Sequence, residues 1–293
     1  MIHESEYPQM TSRDARKTAT DRPAGPAAYK RGEDVPFLRP VRVDSWTWDG
    51  RALTMAMDAE VSVNRTVFTH ETSMHQFKRG EARGSLLVRL TLWAEDVLRV
   101  EFTSGSSFRG ERGSLPPETR MLIGTPEPVD ARFAESEDVL TLSTAKMTVR
   151  VDRNNPRVRA YDASGAPVFA QKRAELFTSD VFDLSIAAGA CAFDSFELWP
   201  GEQIYGLGER FDHVGRRGVG VDFWNKDAIG TSSPRTYINV PFAMSTRGWG
   251  VFVNGSRRME WEVGTLDAGV MGVAVEDGQM DYFVMLSGDP AAI

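Results

Sequence analysis

Short apolar segments separated by turn dipeptides run through most of this chain, and none of them extends into a long amphipathic helix. Val41 to Trp48 precedes Asp49-Gly50, a typical hairpin turn, and the alternating stretch Leu53 to Met57 follows it. Many short strands with turns between them predict an all-β fold. The sequence shows no repeat at a fixed period, which argues against a propeller. We therefore expect a large β-sandwich or barrel.

The same pattern continues along the rest of the chain. Asn254-Gly255 and Asp277-Gly278 each stand between two apolar stretches, as Asp49-Gly50 does. The remaining predicted strands cover residues 86–90, 97–102, 140–151, 158–161, 167–169, 250–253, 259–263, 273–275 and 280–286.

Composition narrows the class of protein. Hydrophobic residues make up 41% of the 293 residues, which is enough for a core. The net charge of -7 argues against a nucleic-acid partner, because phosphate binding needs clustered Lys and Arg. Residues 1–35 mix charges with proline and lack an apolar run, so we expect a disordered arm, no membrane association and a cytoplasmic location. The single cysteine, Cys191, is expected to be a small buried hydrophobe.

Motifs for the commonest chemistries are missing from the sequence. The four histidines, His3, His70, His75 and His213, do not combine with Cys or Asp at metal-ligand spacing. No Gly-X-Ser-X-Gly elbow and no complete dinucleotide or phosphate loop occurs. The sequence therefore predicts no metal and no cofactor.

The most informative stretch runs from Pro200 to Phe252. Between its strand-like blocks lies a segment rich in Gly, Trp, Asn, Asp, Ser and Thr, for which we expect a long loop, a kind of segment that is often functional. An aromatic side chain beside Asn and Asp suits a sugar, which offers an apolar face and directional hydroxyls. The alternative is that Trp224 packs in the core and Asp227 caps a turn.

Four blocks in this stretch resemble the N-terminal domain of glycoside hydrolase family 31, which contains α-glucosidases and α-xylosidases. The blocks are Tyr205 to Phe211, Trp224 to Asp227, Tyr237 to Phe242 and Arg247 to Asn254, in the family's order and spacing. The resemblance covers about residues 196–293 and is closest to the bacterial α-xylosidases.

The resemblance implies a galactose-mutarotase-like supersandwich over residues 36–293, with a loop that reaches over the active site of a following (β/α)8 barrel. It implies that Asp227 contacts the sugar. Its neighbours Trp224, Asn225 and Thr231 are further candidates for substrate binding, on less direct grounds. The two carboxylates of a retaining glycosidase lie about 5–5.5 Å apart. In this family both are on the barrel, which is absent from this chain, so we expect no catalytic residue here and an isolated chain without activity.

Three functions stay open from the sequence: the N-terminal part of a retaining α-glycosidase, a stand-alone carbohydrate-binding sandwich, and an enzyme like aldose-1-epimerase. The last needs a converging His and Glu, for which the sequence offers little. Asp222 and Asp227, on one predicted loop, are not expected to be a catalytic pair. The expected partners are a carbohydrate, the missing barrel and a second copy of the chain through exposed apolar surface. Three large aromatic residues are expected in the core or in interdomain packing, namely Trp249, Phe252 and Trp261.

Overall fold

The structure is a computed structural model that describes residues 36–68, 73–110, 121–122, 124–178, 190–223, 225, 236–265, 267–288, 291 and 293. The predicted disordered arm, residues 1–35, lies outside the described residues and stays a prediction.

Seventeen strands form the described part of the chain. Their order along the chain is β1 (Pro36–Trp48), β2 (Ala52–Phe68), β3 (Ser73–Ala94), β4 (Val97–Thr103), β5 (Arg132–Glu135), β6 (Val139–Ser143), β7 (Met147–Asp152), β8 (Val158–Asp162), β9 (Pro167–Thr178), β10 (Ala190–Glu197), β11 (Ile204–Gly206), β12 (Val219–Phe223), β13 (Phe242–Ser245), β14 (Trp249–Val253), β15 (Met259–Val263), β16 (Val270–Val275) and β17 (Gln279–Leu286).

The strands form two antiparallel sheets that share β9. Hydrogen-bond registers order the larger sheet as β12-β15-β16-β10-β9-β1-β2-β3-β4-β17-β14-β13-β11. The smaller sheet is β5-β6-β7-β8-β9. Strand β9 begins in the smaller sheet beside β8 and continues into the larger sheet beside β10.

The long sheet folds over so that β10 faces β17 across the core. The rings of Phe196 and Tyr282 meet edge to face at 5.4 Å, and those of Phe169 and Trp249 do so at 5.6 Å. Alternate residues along the strands point inward, for example Leu98, Val100 and Phe102 of β4. These contacts confirm the predicted all-β sandwich. In the described part of the chain, no helix is long and apolar enough to cross a membrane.

Only one of the three turn dipeptides joins paired strands. Asp49-Gly50 closes the β1–β2 hairpin as predicted, with Gly50 at a φ of 97° and the Asp49 carboxylate accepting the Ala52 N–H at 2.7 Å. Asn254-Gly255 instead leads from β14 to β15, which pair with different neighbours. Asp277-Gly278 likewise leads from β16 to β17, which pair with different strands. At these two places the chain passes from one layer of the sandwich to the other.

Two other predictions are refined by the structure. The alternating stretch 140–151 is two strands, because the Thr144 hydroxyl accepts the N–H groups of Lys146 and Met147 and turns the chain. Cys191 is buried as predicted, and Trp249 and Trp261 are fully buried core residues. Phe252 points outward from β14, away from the core.

A carboxylate in the middle of the core ties the two layers together. Asp194 of β10 is fully buried and accepts hydrogen bonds from the Tyr282 hydroxyl at 2.9 Å, from Gln171 Nε2 at 2.6 Å and from the Ser195 N–H at 2.7 Å. Gln171 in turn accepts the Val158 N–H of β8 at 3.0 Å. Burial and the neighbouring Asp194 raise the pKa of Tyr282, so its hydroxyl keeps its proton and remains a donor.

Tyr282→Phe tests this tie. The substitution keeps the ring in place and removes one donor from a buried carboxylate, which costs about 1–3 kcal/mol. Urea denaturation is expected to show that loss of unfolding free energy. The matched control is Tyr161→Phe, at a half-buried tyrosine of β8, with an expected change near zero. Equal effects for the two variants would contradict the role of the Asp194 network.

Candidate functional site

Three consecutive residues with left-handed backbone open the segment that resembles a sugar site. Gly206, Leu207 and Gly208 have φ values of 104°, 65° and 89°. Such a conformation costs little for glycine and more for a residue with a side chain such as Leu207. The Leu207 side chain is fully buried, which holds the run in place.

This run is packed directly against the chain at residues 238–243. The Leu207 N–H donates to the Phe242 carbonyl at 2.8 Å, and the Glu209 N–H donates to the Ile238 carbonyl at 3.1 Å. A Cβ atom at Gly206 would overlap the Phe242 carbonyl oxygen, and one at Gly208 would overlap the Ile238 carbonyl oxygen. Both glycines are therefore required by close backbone approach.

Arg210 and Asn239 link Asn225 to Thr236, the two described residues that flank residues 226–235. Arg210 donates from Nε to the Leu207 carbonyl at 3.1 Å and from its second terminal nitrogen to Asn239 Oδ1. Asn239 Nδ2 donates to Asn225 Oδ1 at 2.5 Å and to the Thr236 carbonyl at 3.4 Å. The described residues on either side of 226–235 are thus joined through one amide side chain.

A second arginine, Arg216, lies close to Arg210 and contacts the left-handed run. Arg216 is buried, donates from Nε to the Gly206 carbonyl at 3.0 Å and forms an ion pair with Asp212. Burial, with the nearby charge of Arg216, lowers the pKa of Arg210 to about 10. Arg210 therefore stays charged at neutral pH, and its guanidinium lies 5.4 Å from the centre of the Phe223 ring.

The structure describes one of the four predicted sugar-contacting residues. Asn225 is exposed and bonded to Asn239. Trp224, Asp227 and Thr231 lie outside the described residues, so their roles stay predictions. The sequence reasoning did not single out Arg210 or Asn239, although both stand in the quoted blocks.

The prediction of a long loop between the strand-like blocks of residues 200–252 is wrong in one respect, since the stretch contains β11, β12 and β13 before it enters β14. Asp222 lies on β12 rather than on a loop. Its two carboxylate oxygens each accept a bond from Arg258 at 3.0 Å. This ion pair gives Asp222 a structural role and agrees with leaving it out of a catalytic pair.

Exposed apolar side chains surround this site. Phe211, Val214, Tyr237, Ile238 and Val240 are 57%, 77%, 55%, 39% and 42% exposed. Large exposed apolar groups in one region are typical of a surface that contacts a ligand or another domain. Among the described residues, no group of three His, Cys, Asp or Glu side chains could hold a metal ion. The arrangement can therefore hold Asn225 and Thr236 in place and offer amide groups and apolar surface to a ligand or another domain.

Comparison with known proteins assigns the family. Residues 87–262, more than half of the chain, match the family described as the glycosyl hydrolase 31 N-terminal galactose mutarotase-like domain. The chain belongs to this family. It is 39% identical over 92 residues to the α-xylosidase XylQ of Lactiplantibacillus pentosus, a match that covers 31% of this chain and 12% of XylQ. It is 27% identical over 242 residues to α-glucosidase 2 of Bacillus thermoamyloliquefaciens, covering 78% of this chain and 29% of that enzyme.

A solved structure with the same fold agrees. The family 31 dextranase of Flavobacterium johnsoniae superposes with a TM-score of 0.61 at 17% identity, over 85% of this chain and 26% of the dextranase. This family 31 domain therefore spans less than a third of the length of each of these three relatives.

Gly208→Ala tests the close approach that shapes the site. The left-handed conformation alone costs about 1–2 kcal/mol for alanine. At Gly208 the overlap with the Ile238 carbonyl adds to that cost, so the loss of unfolding free energy is expected to be at least twice that of Gly218→Ala. Gly218 is the matched control because its φ is +84° and no atom lies within 4 Å of an added Cβ. Similar losses of unfolding free energy for the two variants in urea denaturation would show that the close approach of the Ile238 carbonyl does not set the cost of a side chain at Gly208.

Proposed function

We propose that this domain is the N-terminal substrate-binding and scaffold portion of a retaining α-glycosidase that hydrolyses α-xylosides or α-glucosides. Its role is to contribute the segment around Trp224, Asn225, Asp227 and Thr231 to an active site whose catalytic carboxylates belong to another domain. Its partners are accordingly an α-glycoside and a catalytic barrel. The names of its relatives, α-xylosidases and an α-glucosidase, support this class of substrate.

The observation that carries the proposal is the hydrogen-bonded link between Asn225 and Thr236, the described residues on either side of 226–235. One side chain, Asn239, holds both Asn225 and the Thr236 carbonyl, and Arg210 holds Asn239. A segment fixed at both ends loses less conformational entropy when it orders around a ligand. Such anchoring favours substrate positioning, which is the role proposed for Asp227 as an ionised acceptor of two sugar hydroxyls.

The proposal assigns no catalytic residue to this domain. A retaining mechanism needs a nucleophile and an acid/base about 5–5.5 Å apart on the two sides of the glycosidic bond. Asp222 is engaged by Arg258. We also propose a cytoplasmic location, because a sequence with a single cysteine, Cys191, offers no intrachain disulfide.

Asp227→Asn tests the site in a fusion that places this chain before the catalytic portion of XylQ, called the XylQ fusion below. Hydrogen bonds to charged groups contribute about 1.5–3 kcal/mol, so kcat/KM for an aryl α-xyloside is expected to fall about 10- to 100-fold. The unfolding temperature is expected to stay within about 2 °C, because the substitution is isosteric. Steady-state kinetics and calorimetry measure the two effects.

Asp44→Asn is the matched control, at an exposed carboxylate of β1, and is expected to leave kcat/KM unchanged. Unchanged kinetics for Asp227→Asn would remove Asp227 from the site. Micromolar binding of xylose or glucose by the isolated chain, measured by titration calorimetry, would instead favour a stand-alone carbohydrate-binding sandwich.

A further inference from the structure

Two strands of the larger sheet, β14 and β17, carry apolar residues on both of their faces. In β17, Met280, Tyr282 and Val284 point into the core, while Phe283 and Met285 stand on the opposite face, where Phe283 is already buried and Met285 is half-buried. A strand of a sheet with one face in water normally alternates apolar and polar residues. Apolar residues on both faces are typical of a strand that is covered on both sides.

Strand register gathers these outward residues into two rows. One row pairs Phe242 with Phe252, Phe252 with Phe283, and Phe283 with Arg99. The other row runs from Tyr205 through Met244, Gly250 and Met285 to Val97. Together with Trp93, which meets Phe283 edge to face at 5.0 Å, the apolar members form what we call the outward apolar face: Trp93, Val97, Tyr205, Phe242, Met244, Gly250, Phe252, Phe283 and Met285.

The charged groups beside this face are already paired with one another. Arg99 donates from Nε and from a terminal nitrogen to the two oxygens of Asp281 at 2.8 and 2.7 Å. Asn254 Nδ2 donates to Asp281 at 2.6 Å. A partner that covers the face therefore leaves neither Arg99 nor Asp281 as an unpaired buried charge, which is the main cost of burying polar surface.

The chain itself runs over the outward apolar face near residue 293. The N–H groups of Ser287 and Gly288 both donate to the Gly248 carbonyl, at 3.1 and 3.0 Å. Farther on, Ile293 Cγ2 lies 2.8 Å from the position that a Cβ atom of Gly250 would occupy, and Phe242 Cε2 lies 2.9 Å from it. Gly250 thus leaves room on the face for a side chain from beyond β17.

We propose that the outward apolar face is the surface on which this domain docks the catalytic domain of the glycosidase. The inference rests on the proposed function and names the surface involved. The matched domain is the N-terminal one of enzymes several times its length. A catalytic domain joined beyond residue 293 begins beside this face, because Ile293 lies against it at Gly250.

The test is a double substitution, Met244→Lys with Met285→Lys, in the XylQ fusion and in the isolated chain. The two methionines flank Gly250 in one row and are half-buried, so a lysine at each position can extend into solvent in the isolated chain. The isolated variant is expected to unfold within about 5 °C of the unsubstituted chain. In the fusion, the single calorimetric transition is expected to split into two, and trypsin is expected to cut the junction about tenfold faster.

Val139→Lys is the matched control, an outward-facing apolar position on β6 of the smaller sheet, and is expected to leave the fusion with one transition. A single transition in the double variant would overturn the proposal, and so would an unsubstituted fusion that fails to fold as one unit. An isolated chain that is a dimer in sedimentation, and a monomer after the double substitution, would assign the face to a second copy instead. Because this test measures unfolding and the Asp227→Asn test measures turnover, either can fail alone.

Discussion

The sandwich depends on a carboxylate that is removed from water and shared by both layers. Asp194 stands on β10, its donor Tyr282 on β17 and its donor Gln171 on β9. Apolar packing alone tolerates small slips between two sheets. Hydrogen bonds to a buried carboxylate fix the layers in register, because leaving such a group without a hydrogen bond costs more than losing an apolar contact. Strand β10, which carries Asp194, pairs with β9 and β16, and strand β17, which carries Tyr282, pairs with β4 and β14, so the network joins strands on both sides of the core.

The fold class could be predicted from the sequence because strand periodicity and turn residues are local properties. The β1–β2 hairpin follows directly from Asp49-Gly50. The same kind of signal at Asn254-Gly255 and Asp277-Gly278 does not indicate pairing, because a turn fixes only the direction of the chain. Which strands pair is decided by long-range burial: β17 lies between β4 and β14, and both partners are distant from the Asp277-Gly278 turn along the chain.

The site shows a similar limit. The quoted sequence blocks contain Gly206, Gly208, Arg210 and Asn239, yet their roles become evident only when two backbones lie in contact. Glycine in a β protein has many uses, and only the approach of the Ile238 carbonyl makes Gly208 necessary. Asn225, by contrast, could be selected from the sequence because it stands beside an aromatic residue and an acid in a familiar block.

One short segment links the proposed sugar site to the outward apolar face. Asn239 Nδ2 donates to the Thr236 carbonyl, and three residues after Asn239 the chain enters β13 at Phe242, the first residue of the aromatic row. The Phe242 carbonyl also accepts the Leu207 N–H, so the left-handed run contacts the same strand. A domain docked against Phe242 therefore fixes the backbone that orients Asn239. We therefore expect the proposed docking and the proposed sugar site to be coupled through residues 236–242, because Thr236 and Asn239 belong to the site and Phe242 belongs to the outward apolar face.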